Sequence, residues 1–221
     1  MNKCLPSFSS LIVACAAIFA ANAQELRGDE NAGEKKIAMC IGCHGIQGYQ
    51  ASFPEIYKVP KIAGQGASYI VSALTAYKKG ERRHPTMRGI AGSLSAQDMA
   101  DIAAYYQALG RVEGAPALGK AADGNAQAVA LVSKGACMTC HGESFSKPLV
   151  PNYPKLAGQY ADYLFVALKS YKTEGHSTWG RANLIMGGVA KQFTNAELKE
   201  LASYVSSLPG EIKTVPQSKF K

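Results

Sequence analysis

The chain has 221 residues, of which 47% are hydrophobic and 18% charged, with a formal net charge of +8. That length suits two domains of about 100 residues each, and the composition excludes a disordered chain. The charge alone is compatible with nucleic acid, but no run of Lys or Arg exceeds two residues, so nucleic acid is not an expected partner and an anionic protein or membrane surface is.

Residues 1–23 read as an export leader. Lys3 gives a positive start, Leu11 to Ala21 an apolar core, and Ala21-Asn22-Ala23 a small-x-small cleavage site. The alternatives are an uncleaved anchor, which the shortness of the apolar core disfavours, and a lipoprotein signal at Ile12-Val13-Ala14-Cys15, which the apolar run on to Ala21 disfavours. Removal of the leader takes Cys4 and Cys15 with it and leaves Cys40, Cys43, Cys137 and Cys140.

In chain order, a helix is expected from Asn31 to Met39, running straight into Cys40-Ile41-Gly42-Cys43-His44. A second helix spans Ser68 to Lys79 and stops at Gly80. Met87 follows in a Gly-rich stretch read as a loop. Ser95-Ala96-Gln97-Asp98 is an acidic variant of the capping box, opening a helix to Leu109. The Gly-, Ala- and Pro-rich residues 115–124 read as a linker. Helices then recur at Ala126 to Ser133, at Ala161 to Thr173 and after Thr194-Asn195-Ala196-Glu197, with Met186 in a second Gly-rich loop. No strand-like alternation occurs, so the expected fold class is all-α.

The chain is written twice. Cys40-Ile41-Gly42-Cys43-His44 returns as Cys137-Met138-Thr139-Cys140-His141, and Pro60-Lys61-Ile62-Ala63-Gly64-Gln65 as Pro154-Lys155-Leu156-Ala157-Gly158-Gln159. Tyr69 and Tyr77-Lys78 return as Tyr163 and Tyr171-Lys172. Ordered matches at a nearly constant offset indicate duplication, and two copies are too few for a solenoid. The expected domains are 24–114 and 125–221.

Cys-x-x-Cys-His is the attachment pattern of c-type haem. Two thiols three residues apart on a helical turn reach the two vinyl groups of one porphyrin, and the following histidine lies where it can bind the iron. Zinc or a redox dithiol would use Cys-x-x-Cys too, but neither needs histidine next in line, twice. Two c-type haems are therefore expected, on Cys40 and Cys43 and on Cys137 and Cys140, with His44 and His141 as iron ligands.

The sixth ligand must come from downstream. Met39 and Met138 lie at the attachment motifs, and Met99 has core spacing on a helix. Met87 and Met186 stand 43 and 45 residues after their histidines in similar surroundings, and a soft thioether suits haem iron. His84 and His176 are the competitors; the plainer reading makes them loop histidines near the haem edge. Pro60 and Pro154 follow the histidines at similar distances, where a proline carbonyl could accept the free imidazole N–H, unless they are simple loop prolines.

These motifs, the paired Pro-Lys-Ile/Leu-Ala-Gly-Gln segments and the capped last helices resemble the dihaem class I cytochromes c of the cytochrome c4 family, over essentially all of the mature chain. The resemblance implies two tandem cytochrome c-type domains, each wrapped around one covalent haem, with the haem edges facing. It implies a periplasmic carrier of one electron per haem rather than an enzyme, and His44/Met87 and His141/Met186 as axial pairs. It also implies redox partners: a membrane-bound terminal oxidase and an upstream reductase, with loose membrane association. The alternative it leaves is the haem subunit of a dehydrogenase, such as a flavin-linked sulfide dehydrogenase.

Charge differs between the halves. Residues 24–113 carry 11 basic and 9 acidic side chains, residues 114–221 carry 12 and 7. A docking role for the second half, through Lys155, Lys169 and Lys172, follows as an expectation; a merely solvated surface is the alternative.

Overall fold

The computed structural model describes residues 26–111, 126–173 and 175–216. The leader and the linker lie outside the described residues. The first half runs α1 (Glu30–Glu34), α2 (Ala38–His44), β1 (Gln50–Ala51), β2 (Tyr57–Lys58), α3 (Ala67–Lys79), β3 (Arg82–Arg83), α4 (Pro85–Ser93) and α5 (Ala96–Leu109). The second runs α6 (Ala126–Lys134), α7 (Cys137–His141), α8 (Ala161–Lys172), β4 (Gly180–Arg181), α9 (Leu184–Lys191) and α10 (Asn195–Ser207). Helices dominate, as expected. No helix among the described residues is long and apolar enough to cross a membrane.

The two capping boxes form. Ser95 accepts from Asp98 N–H while Asp98 accepts from Ser95 N–H, and Thr194 and Glu197 do the same. Each box frees its helix of two orphan donors and fixes its start. The helix expected over 31–39 is instead broken. α1 ends at Glu34, and Ile37 turns inward, fully buried, before α2 begins. Burial of Ile37 and the reach of Lys36 to Asp98 and Asp101 outweigh a continuous helix.

Two apolar cores form, one per half. In the first, Ile37, Ile41, Leu74, Ile102 and Tyr106 knit α2, α3 and α5 together. In the second, Leu131, Phe145, Leu164, Leu198 and Val205 do so for α6, α8 and α10. The repeated Ala-Gly-Gln turn seats each last helix. Gly64 and Gly158 take φ of +84° and +74°, a region that side chains rarely adopt. Their N–H groups donate to Tyr106 and Val205 carbonyls at 2.8 and 3.3 Å.

Strands contribute two short ladders that sequence reasoning did not find. β1 pairs with β2 inside the first half. β3 pairs antiparallel with β4, placing Arg82 opposite Arg181 and Arg83 opposite Gly180, so this ladder joins the halves. The C-terminal tail adds a bridge, with Lys213 N–H donating to the Ala63 carbonyl at 2.8 Å. Lys58 pairs with Asp162 at 3.0 Å and Lys169 with Glu55 at 2.5 Å across the same junction.

Candidate functional site

Each half holds one mainly apolar cavity against its own core. The first, of about 380 Å³, is lined by Cys40, Cys43, His44, Pro60 and Met87. The second, of about 220 Å³, is lined by Cys137, Cys140, His141, Pro154 and Met186. All ten residues singled out from the sequence thus line these cavities, five at each, with Pro154 of the second set reaching the first cavity too. Tyr69, Pro154, Leu156 and Tyr163 line both cavities, so the two sites meet at the junction.

Among the described residues, none of the four cysteines is in a disulfide. Burial pushes the Cys40 thiol up to about 11 and raises that of Cys137 as well. A redox dithiol relies on the opposite shift, toward thiolate, so the burial of Cys40 and Cys137 does not favour that reading. Among the described residues no three His, Cys, Asp or Glu side chains gather as a metal cluster, which leaves zinc without a donor set.

The histidines are held for ligation. His44 Nδ1 lies 2.8 Å from the Pro60 carbonyl, and His141 Nδ1 lies 3.3 Å from that of Pro154. A carbonyl only accepts, so Nδ1 carries the proton and Nε2 keeps its lone pair. Burial holds both rings below the ordinary histidine range, in the neutral form a metal ligand requires.

Met87 and Met186 sit in helices rather than in the expected loops. Each is the third residue of its helix, α4 or α9. His84 and Asn183 are the N-caps: their side chains accept the N–H groups of Met87 and Met186. Pro85 opens α4 at a position where its missing N–H costs nothing. The glycines that suggested loops, Gly89 with Gly92 and Gly187 with Gly188, lie within these helices.

The competing histidines are occupied elsewhere. His84 uses Nδ1 for the cap, so Nε2 donates to Tyr57 Oη at 3.0 Å. Exposed His176 packs its ring edgewise on Trp179 and interacts through Nδ1 with Thr178. Met99 is core, 3% exposed, and takes a hydrogen bond from Thr75. Met39 and Met138 are largely exposed.

Sequence reasoning missed the arginines. Arg82 donates to Tyr69 and Tyr163, and Arg181 donates to Tyr163 and Tyr171, at 3.1 to 3.3 Å. Neither has a carboxylate partner among the described residues, and Arg82 Nε is buried with no acceptor. A half-buried cation with no carboxylate beside it and a buried free donor calls for an anion. Haem carries two acidic side chains, so this orphaned donor, on a residue lining the first cavity, fits haem. Burial would raise the Tyr163 phenol, but Arg181 and Arg82 outweigh it and bring it to about 8; Tyr69 is pushed up by burial to about 12. The signal was available: Arg82 and Arg181 each stand five residues before their methionine.

Two such cavities, back to back in a duplicated helical chain, place the protein in the class of dihaem c-type electron carriers. The cytochrome c family model matches residues 31–110 and again 115–209. Cytochrome c4 of Stutzerimonas stutzeri is 35% identical over 193 residues, covering 82% of this chain and 90% of that protein. A thiosulfate dehydrogenase electron acceptor of Thiomonas intermedia is 30% identical, covering 78% and 79%. The crystal structure of reduced recombinant cytochrome c4 from Pseudomonas stutzeri matches with a TM-score of 0.58 at 29% identity, covering 82% of this chain and all of that one. The chain belongs to the cytochrome c family and, within it, to the cytochrome c4 group. It is an electron carrier with two c-type haems, not an enzyme.

Proposed function

We propose that Cys40 and Cys43 attach one haem and Cys137 and Cys140 the other, in domains 24–114 and 125–221 joined by 115–124. His44 with Met87 and His141 with Met186 would hold the two haem irons, and Pro60 and Pro154 would orient the histidines. The observation that carries this reading is the gathering of two thiols, one imidazole and one thioether on each cavity wall. When bound, each haem iron takes up and returns one electron. The chain's own residues set the terms of that exchange. The thioethers of Met87 and Met186 favour the ferrous form, the proline carbonyls enrich the imidazoles, and the apolar walls exclude water. Tyr69 and Tyr163, lining both cavities, keep the two centres adjacent.

Residues 1–23 direct export and are cleaved, which places the carrier in the periplasm, loosely held at the membrane. Its electrons come from an upstream reductase and pass to a membrane-bound terminal oxidase. A second reading, in which the chain is the electron-accepting partner of a dehydrogenase, is favoured by the relative named a thiosulfate dehydrogenase electron acceptor. The test is purification from a host that matures c-type cytochromes. Two haems by mass, resistant to acid-acetone, a mature start at Gln24 and two reversible one-electron waves are expected. One haem or none overturns the assignment. Oxidation of the reduced protein by oxidase-containing membranes, against reduction by a co-purifying dehydrogenase, separates the two readings.

A further inference from the structure

The halves exchange one buried side chain each, and both exchanges end on the peptide that holds a histidine. The Pro60–Lys61 peptide is bonded at both ends. Its carbonyl accepts from His44 Nδ1 at 2.8 Å, and its N–H donates to Gln159 Oε1, from the other half, at 3.0 Å. The Pro154–Lys155 peptide repeats the pattern. Its carbonyl accepts from His141 Nδ1 at 3.3 Å, and its N–H donates to Gln65 Oε1 at 2.9 Å.

Each glutamine also donates Nε2–H to the carbonyl of the same lysine, at 2.9 Å in both cases. Each Oε1 accepts a second N–H, from Gly66 or Tyr160, which fixes the amide's orientation: oxygen toward donors, nitrogen toward a carbonyl. Gln65 and Gln159 are 3% and 4% exposed, so water does not stand in for them.

A peptide group passes polarisation from one end to the other. When its N–H donates to a good acceptor, its carbonyl oxygen becomes more negative and accepts more strongly, and low local dielectric enlarges the effect. A stronger bond at Nδ1 makes the imidazole a better electron donor through Nε2. A more donating ligand favours ferric iron and lowers the potential.

We propose that Gln65 and Gln159 are crossed positioning residues: Gln159 tunes the haem site of the first half, and Gln65 that of the second. The inference rests on His44 and His141 being iron ligands. It gives the interface a role beyond adhesion, since separating or tilting the halves would loosen both histidine bonds together. The first-half bond is the shorter, 2.8 against 3.3 Å, so the first site has the more to lose.

The test uses the full-length protein with both haems. Potentials are measured by redox titration, and the two centres are told apart by the NMR signals of their axial methionines, assigned with Met87→His. Gln159→Met, close in size, should raise the first-half potential by about 30 mV, a threefold change in the reduction constant at 59 mV per tenfold. The second-half potential should stay put. Gln65→Met should do the reverse. Gln159→Glu keeps an acceptor for Lys61 N–H but adds a negative charge at the first cavity and loses the donor to the Lys61 carbonyl, so it should lower the first-half potential by charge as well, and the His44 Nδ1 signal separates the bond from the charge. The His44 Nδ1 proton should move upfield in Gln159→Met while that of His141 does not. Shifts confined to the glutamine's own half, equal shifts of both haems, or none, with the red Fe–S(Met) band intact, overturn the inference alone. Absence from the wild-type protein of the hyperfine-shifted imidazole signals of His44 and His141 overturns the ligand reading and this inference with it.

Discussion

His84 and Asn183 occupy one post in the two halves: each caps a short helix by accepting the N–H of the methionine three residues on, His84 Nδ1 at 3.4 Å from Met87 N and Asn183 Oδ1 at 2.9 Å from Met186 N. The histidine that competes with Met87 for iron on chemical grounds is therefore the residue that positions Met87. Loss of an N-cap costs about 1 kcal/mol. His84→Asn should preserve the Fe–S(Met) band, and His84→Ala should weaken it and lower stability by about that amount. Persistence of low-spin ligation at the first haem in Met87→Ala, with its loss in His84→Ala, would reverse the assignment.

Replacing the thioether has a signed consequence. Met87→His should lower the potential of the first haem, because imidazole stabilises ferric iron more than a thioether does. Met186→His should do the same to the second. Spectroelectrochemistry checks both, and an unchanged pair of potentials would show that neither methionine binds iron.

The features legible in the sequence were local ones. The attachment motifs and capping boxes are set within three or four residues, so spacing revealed them. α4 and α9 were hidden by their glycines and by the use of histidine as a cap, a role composition does not advertise. β3 and β4, two residues each, are too short to alternate. The roles of Gln65 and Gln159 lay in plain view in the repeated segment but were unreadable, because the peptides they bond lie 90 and 98 residues away.

Acid stability should depend on the carboxylates that tie helix starts down. Hydrogen bonds from the Thr194 backbone, and then Lys134, bring Glu197 to about 2. Lys36 and Ser95 hold Asp98 well below its ordinary value. Burial works to raise Asp101, but Lys36, the Asp29 N–H and Gln97 outweigh it and hold it low. Folded values below the ordinary 3.8 and 4.5 mean that the unfolded chain binds more protons between them. This stability is complete above about pH 5 and is lost as pH falls through 4 toward 2. Thermal melts across that range should show the decline. Asp101→Asn should flatten it and cost about 2 kcal/mol at neutral pH.

The junction of the two sites makes Tyr163 a sensitive position. It accepts from both Arg82 and Arg181, whereas Tyr69 accepts from Arg82 alone. Tyr163→Phe leaves two buried guanidinium donors short of an acceptor, at a cost of about 1–3 kcal/mol. Tyr69→Phe orphans one and should cost less. Denaturant unfolding of the two variants ranks them, and equal losses would mean that the shared phenol carries no special weight.

The structure redirects the docking expectation drawn from charge. Lys155 is committed to Glu211 at 2.5 Å, Lys169 to Glu55, and Lys172 to the Phe193 carbonyl at 2.7 Å. On the first half, Lys61 donates to the Gly158 carbonyl and Lys78 to that of Leu94. A lysine held in this way is a structural tie before it is a steering charge, so its reversal should appear first as lost stability. Lys147 and Lys199 are exposed on the second half, and Lys79 and Arg88 on the first. Charges steer encounter over a screening length of about 8 Å at physiological salt, and the gain fades as salt rises. Reversal of Lys147 and Lys199 should slow electron exchange with an anionic partner more than reversal of Lys79 and Arg88, with melting temperature unchanged. Reversal of Lys155 or Lys169 should lower the melting temperature whether or not a partner is present. Stopped-flow rates against ionic strength, beside thermal melts of each variant, separate steering from folding; rates indifferent to salt and to all four exposed charges would leave the second half's excess charge as solvated surface.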